Sequence, residues 1–170
     1  LMVAKMEADQ LVLNPIPVKI DELINQVKGS HEVIAQSKRI EIELDLPPAS
    51  RPVSVDKTLF QRVLDNLVSN ALKYSPTHST VTLKIEYPES NGLFDGSTPQ
   101  FRFKVFDQGN GIAEEDRERI FNKYEIATLK HKGAQVGLGL AFCKMVVDAH
   151  HGRIWVEANE PEGSIFVVEI

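Results

Sequence analysis

Four side chains suited to binding or catalysis fall close together in LDNLVSNALKYSP, residues 64–76: Asn66, Asn70, Lys73 and Tyr74. On an α-helix, positions i, i+4, i+7 and i+8 share a face, so these four line up while Leu64, Leu67, Val68 and Ala71 turn the other way. Asparagine weakens a helix, and a face serving only solvation is more often built from Glu, Lys and Arg. What Asn offers instead is a neutral carbonyl oxygen suited to a hard cation, beside amide donors. A solvent-facing polar stripe is the competing reading of the same spacing.

Two glycine-bearing segments follow. DQGNGI, residues 107–112, stands at the end of the strand-like FRFKVF; its glycines let the backbone approach a ligand or take positive φ, and Asp107 can accept from a buried amine. Alone, this pattern also fits an ordinary strand-to-helix turn. GLGLAF, residues 137–142, opens a helix whose free N–H groups and positive dipole end suit phosphate. Its glycines equally suit close helix packing. Neither GxxxxGK[ST] nor GxGxxG occurs, which excludes a P-loop and a dinucleotide fingerprint.

Positioning these segments needs a scaffold, and the chain of 170 residues has room for one sizeable domain. Its 42% hydrophobic and 25% charged residues are those of a globular protein. A net charge of −5 argues against a nucleic-acid or anionic-membrane surface, though not against a local basic site. Cys143 is the only cysteine, so no disulfide forms within the chain, which fits a reducing cytosol. No apolar run approaches the ~20 residues of a membrane span. The opening LMVAKMEADQ holds Lys5, Glu7 and Asp9, unlike a signal peptide, and is expected to be the end of a helix in a longer protein.

After that helix end, LNPIP acts as a breaker, and Asp21 is expected to cap a helix carrying Leu23, Ile24, Val27, Ile34 and Ala35. RIEIELDL alternates like a half-buried strand, VSV is a short one, and Asp56 caps the asparagine helix, which Ser75-Pro76 ends. STVTLKIEY and FRFKVFD are strands joined by a turn-rich stretch. A helix is expected from Glu114 to Lys123, then an unpatterned lid, the GLGL helix, and the closing strands RIWVEA and SIFVVEI. Strands arriving in adjacent pairs predict an α+β fold: a two-layer sandwich with a mixed, mostly antiparallel sheet and helices on one face.

In this order the motifs resemble the catalytic, ATP-binding domain of sensor histidine kinases, of the ATPase superfamily shared with gyrase, the heat-shock chaperone of the ninety class and MutL. LDNLVSNALKYSP is similar to the family's N box, DQGNGI to its first glycine box, IFNKY to its phenylalanine box, GLGLAFCK to its second glycine box and GSIFVVEI to its closing strand. MEADQLVLNPIPVKIDELI resembles the junction where the dimerisation helix meets the kinase domain. The resemblance spans nearly the whole chain, with residues 1–14 as helix end and linker and residues 15–170 as the Bergerat-type ATP-binding domain.

The resemblance implies ATP and Mg²⁺ as cofactors and assigns roles. Asn70 would hold the metal, with Asn66 beside it; Lys73 would contact phosphate and Tyr74 pack by the nucleotide. Asp107 would accept from the adenine amine, where guanine carries a carbonyl. Gly109, Gly111 and Ile112 would shape the base site, Gly137, Leu138, Gly139 and Leu140 the closure over the phosphates, and Lys123 would add positive charge. Hydrolysing relatives carry glutamate four residues before the magnesium asparagine, as a general base; Asn66 cannot take that proton, which favours transfer to a better nucleophile.

That nucleophile, a histidine on the dimerisation helices, is expected to be absent from this chain. His31, the only histidine followed by Glu, is expected to be a surface helix residue; His78 and His131 fall in loops; His150-His151 end a helix where positive charge suits the dipole. The implied partners are the protein's own dimerisation and phosphotransfer helices and a downstream response-regulator receiver domain, with no nucleic acid. The full-length protein is expected to be a cytoplasmic or membrane-anchored homodimer and the fragment a monomer. Departures are Gln135 in place of the first glycine of GxGLGL, with Gly133 nearby, and Asn122 with no downstream arginine in the phenylalanine box. The rival functions are a degenerate kinase domain serving as a docking module and a serine kinase of the anti-sigma-factor type; the first is tested by magnesium-dependent nucleotide binding, the second opposed by the helix remnant at residues 1–10.

Overall fold

The computed structural model describes residues 11–88, 99–122 and 138–170. The expected helix end at 1–10, most of the turn-rich connection, and the lid with Lys123 and Gly137 lie outside the described residues. Strands β1 (Ile16–Lys19) and β3 (Pro52–Val55) form a small antiparallel sheet. Strands β2 (Glu41–Asp45), β4 (Thr80–Glu86), β5 (Arg102–Phe106), β6 (Arg153–Ala158) and β7 (Ser164–Glu169) form the main sheet in the order β2-β4-β5-β7-β6. Only β2 and β4 run parallel, because α2 lies in the crossover between them. Helices α1 (Ile20–Lys38), α2 (Lys57–Tyr74) and α3 (Gly139–Ala149) complete the expected sandwich.

Alternation in the sequence decides which face of each strand is covered. In β4, Val81, Leu83 and Ile85 are buried while the residues between them are half-exposed; in β5, Phe103 and Val105 repeat the pattern. Helix α2 buries Phe60, Val63, Leu64, Leu67, Val68, Ala71 and Leu72 against this face. Each of these Phe, Val and Leu side chains contributes about 1.5–3 kcal/mol when fully buried, so the apolar stripe, not the propensity of its asparagines, holds α2 together. The helix starts where Asp56 Oδ1 accepts from Leu59 N at 3.0 Å and stops at Ser75, which Pro76 holds in an extended conformation.

The structure corrects several expectations. LNPIP is not only a breaker: β1 begins inside it, with Pro17 opposite Ser54 in a two-stranded sheet, a place where the missing N–H is tolerated. Asp21 does not cap α1, which begins at the fully buried Ile20 with Lys19 in the cap position and no side-chain bond there. The helix expected from Glu114 is two isolated 3₁₀ turns, Glu114–Asp116 and Arg119–Phe121. Residues 114–119 offer no apolar face to pack, and a short helix without one does not outweigh its nucleation cost. His31 is buried rather than at the surface: it continues the Val27–Ala35 stripe at four-residue spacing toward α2, with Nδ1 3.0 Å from the Val27 carbonyl and 3.7 Å from Asp65 Oδ1. Its neighbour Ile34 faces out, 51% exposed.

Candidate functional site

The end of β5 and the end of α2 meet at Gly109. A Cβ there would stand 2.9 Å from the Tyr74 carbonyl oxygen and 3.2 Å from Asp107 Oδ1, so only glycine lets the loop lie against the helix terminus. Gly111, at φ +72°, turns the chain through a conformation that side chains resist. Ile112 packs against the core beside it. The asparagine helix and the aspartate loop, 33 residues apart at Tyr74 and Asp107, thus become adjoining walls.

Asp107 is 4% exposed. Its Oδ1 accepts from Gly109 N at 2.9 Å and Ser164 N at 3.1 Å, whereas its Oδ2 accepts from no described residue. No buried side-chain oxygen among the described residues is sealed off without a partner, so Oδ2 keeps an open approach. Burial pushes the Asp107 carboxyl above its ordinary pKa, and the two N–H groups offset only part of that. A buried carboxylate with one oxygen spent and one free is suited to receive a hydrogen-bond donor from a ligand.

Along α2, Asn66 donates from Nδ2 to the Arg62 carbonyl at 2.8 Å, and its Oδ1 lies 2.5 Å from where a Cβ of Gly139 would be. The first turn of α3 therefore sits directly on Asn66, an approach reinforced by Arg62 stacked 4.5 Å over the Phe142 ring. Leu138, in the cap position, makes no side-chain hydrogen bond to that turn, and among the described residues no capping side chain claims its leading N–H groups. Half-buried Asn70, one turn further along α2, makes no side-chain hydrogen bond to a described residue. Lys73 is exposed and lies 5.1 Å over the ring of Tyr74, itself 46% exposed. Of the two leucines in GLGL, Leu138 points outward and Leu140 is buried in the core. Of the candidate site residues, Tyr74, Asp107 and Gly109 meet at the end of α2, Asn66 and Gly139 meet further back along it, and Asn70 and Lys73 lie between on the same helix; Lys123 and Gly137 lie outside the described residues.

Three supports were missed by sequence reasoning. Lys38 Nζ, at the end of α1, donates to the carbonyls of Leu72 and Lys73, neutralising the negative end of α2 in the turn that carries Lys73 and Tyr74. Gly163, at φ +117°, packs where a Cβ would strike the Asp107 carbonyl oxygen. His150, at the end of α3, makes a structural tie that its place in the sequence did not announce. Its Nε2 accepts from Asp56 N at 2.9 Å, so Nδ1 carries the proton and donates to the Val146 carbonyl at 2.8 Å, tying α3 to the start of α2. Only Gly163 carried a signal, a glycine just before a strand.

A family model described as "Histidine kinase-, DNA gyrase B-, and HSP90-like ATPase" matches residues 55–170. Among curated relatives, the adaptive-response sensory kinase SasA of Gloeothece citriformis is 34% identical over 131 residues, 77% of this chain and 31% of the relative. SasA of a Nostoc species is 32% identical over 98% of this chain and 39% of its own length. This chain thus spans less than half the length of these curated relatives. Among solved structures, the nucleotide-free catalytic domain of histidine kinase ThkA has a TM-score of 0.76 at 26% identity, covering 94% of this chain and 97% of that one. Full-length ShkA in complex with AMPPNP has a TM-score of 0.73 at 28% identity, covering 94% and 31%.

Proposed function

The chain belongs to the histidine kinase-, DNA gyrase B-, and HSP90-like ATPase family, and on that premise we propose that residues 15–170 are the catalytic unit of a sensor histidine kinase. It transfers the γ-phosphoryl group of ATP to a histidine on dimerisation helices, of which residues 1–14 are the trailing end and linker. The observation that carries this reading is the buried carboxylate of Asp107, whose Oδ2 accepts from no described residue, in a loop that Gly109 seats against the end of the helix carrying Asn70, whose carboxamide bonds to no described residue. An adenine nucleotide needs an acceptor for its amine at one end and a cation ligand at the other, and the Asp107 loop and the Asn70 helix, which adjoin at Gly109, offer one each.

Bound ATP·Mg²⁺ supplies the phosphoryl group and a metal that neutralises its oxygens. Asp107 Oδ2 accepts from the base amine, while Gly109 and Gly111 keep the loop thin enough for the base to approach, with Ile112 as its apolar neighbour. The described residues contain no cluster of three or more His, Cys, Asp or Glu suited to a metal. Magnesium, a hard ion that keeps much of its shell as water and phosphate oxygen, fits a single carboxamide oxygen from Asn70. Lys73 supplies positive charge and Tyr74 a partly exposed ring, while Leu138, Gly139 and Leu140 place the uncapped first turn of α3 beside Asn66. Gly137 and Lys123 are assigned the remaining lid contacts by their positions in the sequence. Asn66, already donating to its own helix and unable to take a proton, positions phosphate rather than activating water.

The partners in this reading are the dimerisation helices of a homodimer and a receiver domain; ThkA has been solved in complex with the response regulator TrrA. No described helix is long and apolar enough to cross a membrane, and the catalytic unit is assigned to the cytoplasm, where ATP is available. Titration calorimetry tests the site. ATP binds with magnesium and more weakly in chelator, and Asn70→Ala removes that difference. A chain whose ATP heat is the same with and without magnesium is not this kinase domain.

A further inference from the structure

Asp107 is held from a direction its own loop does not provide. Its N–H donates to the Ser164 carbonyl at 2.9 Å, and Ser164 N returns to Oδ1 at 3.1 Å. Its carbonyl oxygen, just past the β5 ladder, accepts from Asn159 Nδ2 at 2.8 Å. Asn159 is anchored in turn, since its N–H donates to the Gly163 carbonyl at 3.1 Å across the β6–β7 turn. The Asp107 carbonyl orientation sets that residue's ψ angle, and ψ decides where the next two N–H groups point. One of them, Gly109 N, is the second donor to Oδ1. Releasing the carbonyl therefore frees the carboxylate to rotate and blurs which oxygen meets the ligand.

We propose that Asn159 is a positioning residue for adenine selection, acting through the backbone of Asp107 from the opposite hairpin; this rests on the adenine role given to Asp107 above. The side chain touches no ligand in this scheme. Its amide must donate, so a carboxylate of the same shape cannot replace it: an acceptor would face the Asp107 carbonyl with no proton between them.

The test is calorimetric Kd for ATP and GTP on the full 170-residue chain, with thermal melting alongside. Asn159→Ala is expected to weaken ATP about fivefold, the scale of one lost hydrogen bond, with GTP unchanged, so that the ATP:GTP affinity ratio falls by the same factor. Asn159→Asp is expected to lower the ratio further, and Asn159→Gln, which retains the donor on a longer arm, to restore part of it. A purely structural Asn159 would lower the melting temperature and leave the ratio where it was. If the native chain prefers ATP while folded Asn159→Ala and Asn159→Asp keep the native ratio, the inference is overturned and the adenine assignment stands. If the native chain shows no preference for ATP, both fall.

Discussion

Asp56 and Asp107 each follow the last residue of a strand, yet the fold uses them in opposite ways. Asp56 spends both oxygens: Oδ1 accepts from Leu59 N at 3.0 Å and Oδ2 from Asn14 N at 2.9 Å. Burial works to raise its pKa, but these N–H groups outweigh it and leave the carboxyl below its ordinary value. Asp107 is far more deeply buried, receives its two donors on a single oxygen and ends above its ordinary value. One carboxylate is finished by the protein and stabilises it. The other is left incomplete, a local cost that makes sense where a ligand supplies the missing donor.

That contrast is broken or sharpened most strongly at Asp107 itself. Asp107→Asn keeps an Oδ1 for Gly109 and Ser164 but turns the free acceptor into a donor, which opposes the adenine amine and matches a guanine carbonyl. The ATP:GTP affinity ratio should fall on the order of 100-fold, as expected when a buried hydrogen bond is replaced by a clash of donors. The melting temperature should hold or rise, because a desolvated charge has been removed. A variant that keeps its ATP preference would take the base contact away from Asp107.

At Asp56 the effects should be reversed in kind. Asp56→Ala removes the α2 cap and the tie to Asn14, at about 1–2 kcal/mol of stability by denaturant titration, with the ATP:GTP ratio intact. A change in selectivity without loss of stability would show that the two carboxylates are not separate in role.

Acid separates them by sign. The folded-state pKa of Asp56 is depressed, so its stabilisation is present at neutral pH and is lost as pH falls through that depressed value, below the ordinary 3.8. The folded-state pKa of Asp107 is raised, so between that raised value and 3.8 the folded protein takes up its proton first, and stability from this group grows as pH falls. Difference curves of Asp56→Asn and Asp107→Asn against the native chain should therefore slope in opposite directions at the acid end. The smallest effect is expected at Cys143, buried and with its thiol pushed up to about 12. Its alkylation at neutral pH should be negligible in the native state and prompt after unfolding; rapid native labelling would mean that α3 opens readily.

Much of the site was legible because its parts are local. Asn66, Asn70, Lys73 and Tyr74 share a helix, and helical spacing alone puts them on one face. Gly109 and Gly111 share one turn with Asp107. The supports were not legible, because each comes from a distant element: Lys38 reaches α2 from α1, His150 reaches Asp56 from α3, and Asn159 reaches Asp107 across the sheet. His31 was misplaced for a related reason. It was expected at the surface of its helix, and only the packing of α1 on α2 turns that position inward.

Most of the order of strands and helices, most apolar faces and the residue types suited to a nucleotide followed from sequence alone, since helix and strand periodicities are local properties of the backbone. Tertiary structure decided that a short edge strand begins inside LNPIP, that the segment after Gly111 cannot sustain a helix, and which oxygen of Asp107 stays unclaimed. Those outcomes depend on what lies opposite in space. Burial and hydrogen-bond completion are settled between segments far apart in the chain, where no local pattern records them.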